Sequence, residues 1–474
     1  MHTFRINKTA QQALLAGTLA LLTLAPVASV FAAADPVVLT FSTVGDSRQD
    51  AASPDASAAV YTQPQPATQV TPGTNCPVTT TPGTAPNPGI SAQDCKWLQN
   101  TNAFATIIRN IQAQKSNLLF FNGDMTLGYG LADIPVTRAS SVSIAKPTAT
   151  APYPVDSETP TALAISTPAS IGAIVNSDLM QYYQQYGFWR GMIAGLIETG
   201  TYVVPVPGNH ETQCKRCGKK SQWQNENAWR DNMGDLIIDQ TRINNALSAV
   251  GASFNTSTWS LTNYPGVADG LITSQQGLSY SFDVGNNHFS VINTDPVGND
   301  SHAPTNWLDA DLTAAVSNGA QHLFVFGHKP AYYYSYAGAS GISAASSLFL
   351  TDQPAADAFW AVITKHNATY FAGHEHIYNV SQPTDNTHTT GGTAYQVIVG
   401  AGGSPFDDLE STPTQTFPTG TLTSDRMYSW ATVSIHQSGQ VTLNTYGFLP
   451  TLNSRNTNTN PVVQLGSFSL PAAK

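Results

Sequence analysis

Five short stretches of this 474-residue chain carry side chains suited to holding a cation or moving a proton: Gly45-Asp46-Ser47-Arg48, Gly123-Asp124, Gly208-Asn209-His210-Glu211, Gly327-His328 and Gly373-His374-Glu375-His376. Carboxylates mixed with neutral imidazoles suit Zn, Fe, Mn or Co better than Ca or Mg. Asn209 adds a neutral oxygen donor, which limits repulsion at a site that already holds Asp124. A carboxylate can bridge two cations, and two cations about 3.5–4 Å apart can activate water and clamp a phosphoryl group. His210, beside Asn209, need not be a ligand; oriented by Glu211 or another carboxylate, it is placed to act as an acid or base. His374 and His376 share one side of an extended chain, because residues i and i+2 point the same way.

Each stretch follows a short apolar run that reads as a buried strand: residues 37–41, 118–121, 202–206, 323–326 and 368–371. In α/β sheets ligands bind beyond the carboxyl ends of the strands, so residues scattered over the chain converge on one edge. Helical patterns separate the strands, with Trp97, Phe104, Ile107, Ile108 and Ile111 on the first and Tyr183, Phe188, Trp189, Met192 and Ile193 on the second, at about 178–198. Residues 221–247 read as largely helical, and further helices are expected from Pro304 and over 355–365. A β-hairpin is expected over 280–284 and 288–292, and the strand-rich C-terminal part runs over about 394–474. Two stretches rich in Pro, Thr, Ser and Ala, 51–94 and 132–176, lack periodicity and read as insertions.

The N-terminus has its own pattern. Arg5 and Lys8 precede an apolar run over 13–31 that ends in Ala32-Ala33-Ala34, the layout of a signal peptide with a small-residue cleavage site. Thr18, Thr23, Pro26 and Ser29 interrupt the run and argue against a membrane anchor. The expected mature chain is 35–474, with an extracytoplasmic (periplasmic or secreted) location and no later transmembrane anchor. Removing Arg5 and Lys8 from the 20 basic residues leaves 18 against 30 acidic ones, a formal −12 and no electrostatic footprint for nucleic acid. Four cysteines in an exported chain suggest disulfides, and proximity pairs Cys76 with Cys95 and Cys214 with Cys217. A zinc half-site at Cys214-x-x-Cys217 is the rival reading.

The order of these motifs resembles the calcineurin-like metallophosphoesterases, including the purple-acid-phosphatase-like branch. That family's pattern is Asp-x-His or Asp-x-Gly, then Gly-Asp, Gly-Asn-His-(Asp/Glu), an isolated Gly-His and Gly-His-x-His. The hairpin from Ser281-Phe282-Asp283 to Phe289 and the helix with Trp307-Leu308 are also similar. The resemblance spans about 37–403, with both insertions outside it. It implies an α/β fold, specifically a four-layer α/β/β/α sandwich, with two divalent or trivalent metal ions (Fe, Zn, Mn or similar) and a phosphate-ester substrate. By resemblance, Asp124 bridges both metals, Asn209, His328 and His374 complete one, and Asp46 and His376 bind the other. His210 is then expected to contact the phosphate and protonate the leaving group, and Glu211 matches the acidic position after it. The chain departs from the pattern at Arg48, where the family has a histidine, and at Leu127, where purple acid phosphatases have a tyrosine. Tyr129 stands two positions late and reads as a packing or loop tyrosine before a ligand. Arg48 either grips a phosphoryl oxygen or pairs with a nearby carboxylate.

The expected activity is that of an exported metal-dependent phosphomonoesterase using a dinuclear centre and metal-activated hydroxide. A phosphodiesterase or nucleotidase on the same site is one alternative. A non-catalytic metal- or ligand-binding protein is another, and the Asn209-His210 pair argues against it. The remaining candidates read as structural: His288 on the hairpin, His302, His322 and His366 at the surface or in loops, and Lys329 as a solvated lysine. Tyr332, Tyr333, Tyr334 and Tyr336 either line a pocket or pack.

Overall fold

The computed structural model describes residues 35–49, 101–132, 177–237, 239–248, 251, 254–255, 262–334, 347–383, 393–404, 407, 421–425, 427–448 and 462–474. The expected signal peptide, the insertion at 51–94, all but the first residue of that at 132–176, Trp97, Tyr336 and the Cys76–Cys95 pair lie outside the described residues. Pro36–Lys474 form one compact unit.

Strands β1 (Val37–Val44), β2 (Leu118–Asn122) and β3 (Tyr202–Val206) are parallel neighbours, and β2 and β3 are buried along their whole length. A short antiparallel ribbon, β4 (Gln213–Cys214) and β5 (Lys220–Ser221), follows. Next come β6 (Phe254–Asn255), β7 (Tyr280–Val284), β8 (Asn287–Val291), β9 (His322–Phe326) and β10 (Thr369–Ala372). The chain continues through β11 (Tyr378–Ser381), β12 (Gln396–Val399), β13 (Thr421–Asp425), β14 (Tyr428–His436), β15 (Val441–Phe448) and β16 (Val463–Leu470). One sheet has the order β16-β15-β14-β1-β2-β3, and the other β13-β11-β12-β10-β9-β8-β7-β6. Continuous apolar runs form the parallel strands because both of their faces are covered. The expected hairpin is β7–β8, paired from Tyr280↔Val291 to Val284↔Asn287.

The sheets meet through phenylalanines. Phe41 of β1 packs edge-on against Phe289, Phe324, Phe326 and Phe371, and Phe120 of β2 stacks on Phe326 at 3.7 Å between ring centroids. Each edge-on pair adds about 0.5–1.5 kcal/mol beyond the area it buries. On its other face β2 turns Phe121 to Phe104 of helix Asn102–Ala113 and to Trp189 of helix Asp178–Glu198. Across the second sheet, Tyr370 meets Phe359 of helix Gln353–His366.

Local signals set the helix ends. Ser177 caps Asp178–Glu198 by accepting from the Met180 N–H, and Asp352 caps Gln353–His366 by accepting from Ala355. Residues 221–247 resolve into two helices, Trp223–Ile237 and Gln240–Ser248. Within Asp178–Glu198 the buried tyrosines are Tyr182 and Tyr186, whereas Tyr183 is 41% exposed and bonds Asp231. The helix is apolar around much of its circumference, so apolarity alone did not mark its inner face.

Two structural expectations change, for Lys329 and for His322 with His366, while the tyrosine alternatives resolve and the expected Cys214–Cys217 pairing is present. Lys329 is fully buried, bonding Asp295 at 2.6 Å and Ser301 at 2.7 Å. His322 and His366 are buried too, the first stacked on Phe324 and the second bonded to Asp309. Tyr332, Tyr333 and Tyr334 are core residues, not pocket walls. Cys214 and Cys217 form a disulfide, which removes the zinc half-site reading. His288 is structural as expected, held between Asp283 at 2.6 Å and Asp311 at 2.9 Å.

Candidate metal and catalytic site

Five parallel strands end on the candidate residues: β1 before Asp46, β2 before Asp124, β3 before Asn209, β9 before His328 and β10 before His374. Loops from the two sheets interlock there. Gly45 N–H donates to Val399 O, and Gly402 N–H to Gly45 O. A Cβ on Gly373 would strike the Asp46 carboxylate and the Asn122 carbonyl, so only glycine lets these loops approach so closely. Five non-glycine residues of the site hold left-handed backbone: Asp46 (φ 62°), Arg48 (44°), Asp124 (52°), Tyr129 (63°) and His374 (67°). Such positions cost about 1–2 kcal/mol each and persist only where the surroundings enforce them.

Two groups of donors share Asp124. In the first, His328 Nε2 lies 3.1 Å from Asp124 Oδ1 and 2.7 Å from Asn209 Oδ1. His374 Nδ1 lies 2.9 Å from the same Asn209 oxygen and 3.1 Å from His328 Nε2. His328 Nδ1 donates to Asn122 O at 2.7 Å, which fixes the ring and turns Nε2 inward. Atoms of Asp124, His328 and His374 able to ligate lie within 4.8 Å of one another. Oxygen and imidazole acceptors crowded to a common point in a buried cavity fit a cation with mixed N/O coordination.

The second group is looser. Asp46 Oδ1 lies 3.5 Å from His376 Nε2, and Asp46 Oδ2 accepts from the His374 N–H at 2.8 Å. Asp46 Oδ1, Asp124 Oδ2 and His376 Nε2 are all buried without a hydrogen-bond partner. Asp407 accepts from the His376 N–H. Arg48 Nη2 stands 3.7 Å from Asp124 Oδ2.

His210 borders both groups. Its Nε2 is 3.5 Å from Asp124 Oδ2 and has no hydrogen-bond partner, while its Nδ1 donates to Leu127 O at 2.5 Å. The orienting group is thus a backbone carbonyl, where sequence had suggested a carboxylate. Glu211 is occupied elsewhere. Its Oε2 accepts from the N–H groups of Asp124 (2.8 Å) and Gly208 (2.9 Å), and its Oε1 from the N–H and hydroxyl of Thr126 (both 3.1 Å).

Electrostatics follow from burial. Burial would raise the Asp124 carboxyl, but His210, His328 and Arg48 outweigh it and hold it well below the usual range. Burial raises Asp46. Burial, then the Arg48 guanidinium, pushes His210 down to about 3, so it is a neutral imidazole with a free Nε2 lone pair. Burial also holds His374 well below its ordinary value. For His328 burial works downward, but Asp124 draws it up to about 9. Burial, then the Asp124 charge, raises Glu211 to about 7.

All nine residues singled out by sequence, Asp46, Arg48, Asp124, Asn209, His210, Glu211, His328, His374 and His376, are described here, and the contacts above join them in one cluster. Tyr129 belongs with them: its hydroxyl receives the Asn209 amide N–H, and its ring lies 3.8 Å from that of His210. Its place in the Gly-Asp loop was the available signal. Asp295 was missed. It follows β8 as the candidates follow their strands, and it accepts from both Lys329 and Gln213, tying the loop after His328 to the loop after His210.

No protein-family model matches the chain, and no curated protein matches it. Solved structures similar to it include a purple acid phosphatase from yellow lupin (Lupinus luteus) seeds, at 12% identity and TM-score 0.44, covering 91% of this chain and 53% of that one. The chain thus spans about half the length of the lupin protein. PhoD is similar at 12% identity and TM-score 0.43, covering 92% of this chain and 70% of that one. A dimetal phosphatase from Danio rerio is similar at 10% identity and TM-score 0.39, covering 91% of this chain and 100% of that one. The lupin and Danio rerio proteins are phosphatases. Among the described residues no helix is long and apolar enough to cross a membrane.

Proposed function

We propose that the chain is an exported, metal-dependent hydrolase of phosphate esters, acting chiefly on monoesters. The observation that carries this reading is the convergence of Asp124 Oδ1, Asn209 Oδ1, His328 Nε2 and His374 Nδ1 beside an unpartnered His210 Nε2. The four donors would hold a cation, and Asp46, His376 and Asp124 Oδ2 offer three more next to it. A transition-metal ion bound there would polarise a phosphoryl oxygen and raise the acidity of water.

The chain's own residues divide the remaining work. Arg48 presents a guanidinium to phosphoryl oxygens, whose geometry it matches. His210, anchored through Nδ1 to the Leu127 carbonyl, points a neutral Nε2 lone pair into the site, where it can take up a proton from the arriving phosphate ester and return it to the departing alcohol. Glu211 fixes the backbone that presents Asp124 and Gly208 and is a positioning residue, not an acid or base. The buried walls exclude bulk water and strengthen each of these charges. The N-terminal residues 1–34 support export through their signal-peptide pattern.

The test is to purify the mature chain, count its metals and assay p-nitrophenyl phosphate and its bis-ester. His374→Ala should lose metal. His210→Ala should keep metal and lose turnover by about 10²–10⁴-fold, the span of general acid–base catalysis. Wild-type protein that binds no transition metal and hydrolyses neither ester would end this reading, and faster bis-ester cleavage would move it to phosphodiesters.

A further inference from the structure

We infer that the two halves of the centre are unequal: one cation is held firmly at the Asp124–Asn209–His328–His374 half, and at the Asp46–His376 half the Arg48 guanidinium takes up the charge balance that a second firmly held cation would provide. The inference rests on the proposed metal-dependent reading and deepens it.

Three features separate the halves. The first presents four protein donors, with Asn209 and His328 fixed by further bonds that they donate to the Tyr129 hydroxyl and the Asn122 carbonyl. The second presents three, Asp46 Oδ1, Asp124 Oδ2 and His376 Nε2, with His376 Nε2 and Asp46 Oδ1 3.5 Å apart. The guanidinium stands 3.7 Å from Asp124 Oδ2, the very oxygen a second cation would share. The backbone of Arg48 is pinned beside Asp124 by its N–H to Asp124 O at 2.9 Å, which roots the side chain next to this carboxylate. Asp124 therefore faces His328 and the first half through Oδ1, and through Oδ2 it faces both neutral His210 and a permanent cation. A divalent ion arriving at the second half would meet that positive charge at short range in a poorly screened cavity. By the Coulomb scale for near-surface charges, this should leave the second equivalent at least about 100-fold weaker than the first.

The experiment loads the mature chain with Mn(II) alone, removes loosely held ions by gel filtration, and reads both metal content and the electron paramagnetic resonance spectrum. Wild type should retain one equivalent and show the spectrum of an isolated Mn(II). Arg48→His, which exchanges the fixed cation for a neutral donor, should retain two and show the exchange-coupled spectrum of a pair. His376→Ala in the wild-type background should still retain one. Should Arg48→His fail to fold by circular dichroism, Arg48→Ala replaces it, and its second equivalent should tighten about 100-fold as the repulsion is lifted. Two firmly held, coupled equivalents in wild type would overturn the inference while leaving the hydrolase reading standing. So would unchanged stoichiometry and affinity in the Arg48 variants. Wild type retaining no metal would overturn both.

Discussion

Glu211→Gln separates a glutamate that acts on substrate from one that builds the site. The wild-type carboxylate accepts four hydrogen bonds from three backbone N–H groups and one hydroxyl. A glutamine amide keeps one acceptor oxygen and turns an NH₂ toward the other pair. The cheaper orientation points that NH₂ at Thr126, whose hydroxyl can rotate to accept it, and leaves the Thr126 N–H buried without an acceptor. That orphan costs about 1–3 kcal/mol, and exchanging a charged for a neutral acceptor at Asp124 and Gly208 costs about 1 kcal/mol per bond. Against this, the variant no longer buries a charge beside Asp124, the neighbour that helps raise Glu211 to about 7. The net loss expected is about 3 kcal/mol, a large share of the 5–15 kcal/mol typical of a folded domain. Urea denaturation of metal-free protein at pH 8 reads it directly, and metal affinity should fall in parallel because Asp124 loses its backbone support. Turnover per bound metal should change far less than in His210→Ala. A variant with wild-type stability and metal content but abolished turnover would refute this account and return Glu211 to the chemistry.

Stability should fall as pH rises from about 6.5 to 9. Burial lowers the His288 pKa, but its bonds to Asp283 and Asp311 overcome that and raise it to about 9, so the folded state holds its proton where the unfolded state has lost it. The contribution is complete below the unfolded value of about 6.5, is lost through about 9 and amounts to about 3 kcal/mol; denaturation midpoints of wild type and His288→Gln across this window should converge in slope only if His288 is not the source. Gly373→Ala should fold poorly or lose metal, since its Cβ would occupy the place of the Asp46 carboxylate, and full metal content by elemental analysis would contradict the close packing described. Phe120→Ala should cost about 3–5 kcal/mol in denaturation experiments through loss of the inter-sheet stack, and a cost under 1 kcal/mol would mean the sheets close over the gap.

What could be read in advance follows from where the information resides. The parallel strands were legible because strands covered on both faces must be uniformly apolar, and the first candidate ligand after each sits two or three residues past its end. The helix faces were harder: Tyr183 and Tyr182 are chemically identical neighbours, and only the tertiary position of helix Asp178–Glu198 exposes one and buries the other. Lys329 reads as a surface residue because its partner Asp295 lies 34 positions away on another loop. The carbonyl orienting His210 was invisible for a simpler reason. Every residue has one, so no residue type marks Leu127. Glu211 was found by its position, but its role depends on backbone N–H groups that no sequence pattern displays.

The pairing of β1 imposes a timetable on the molecule. Its strand lies between β2 and β14, so the element leading to Asp46, made early in synthesis, gains its second neighbour only after residues 428–436 have emerged. Asp46 also meets the N–H of His374, 328 positions further on. A ribosome therefore releases most of the chain before the cation-binding edge can assemble, because contacts of such long range form late. A chain crossing a membrane before folding would carry its donors apart, unable to capture metal on the way. On the proposed metal-dependent reading, metal retention would accordingly report completed synthesis and the closing of both sheets.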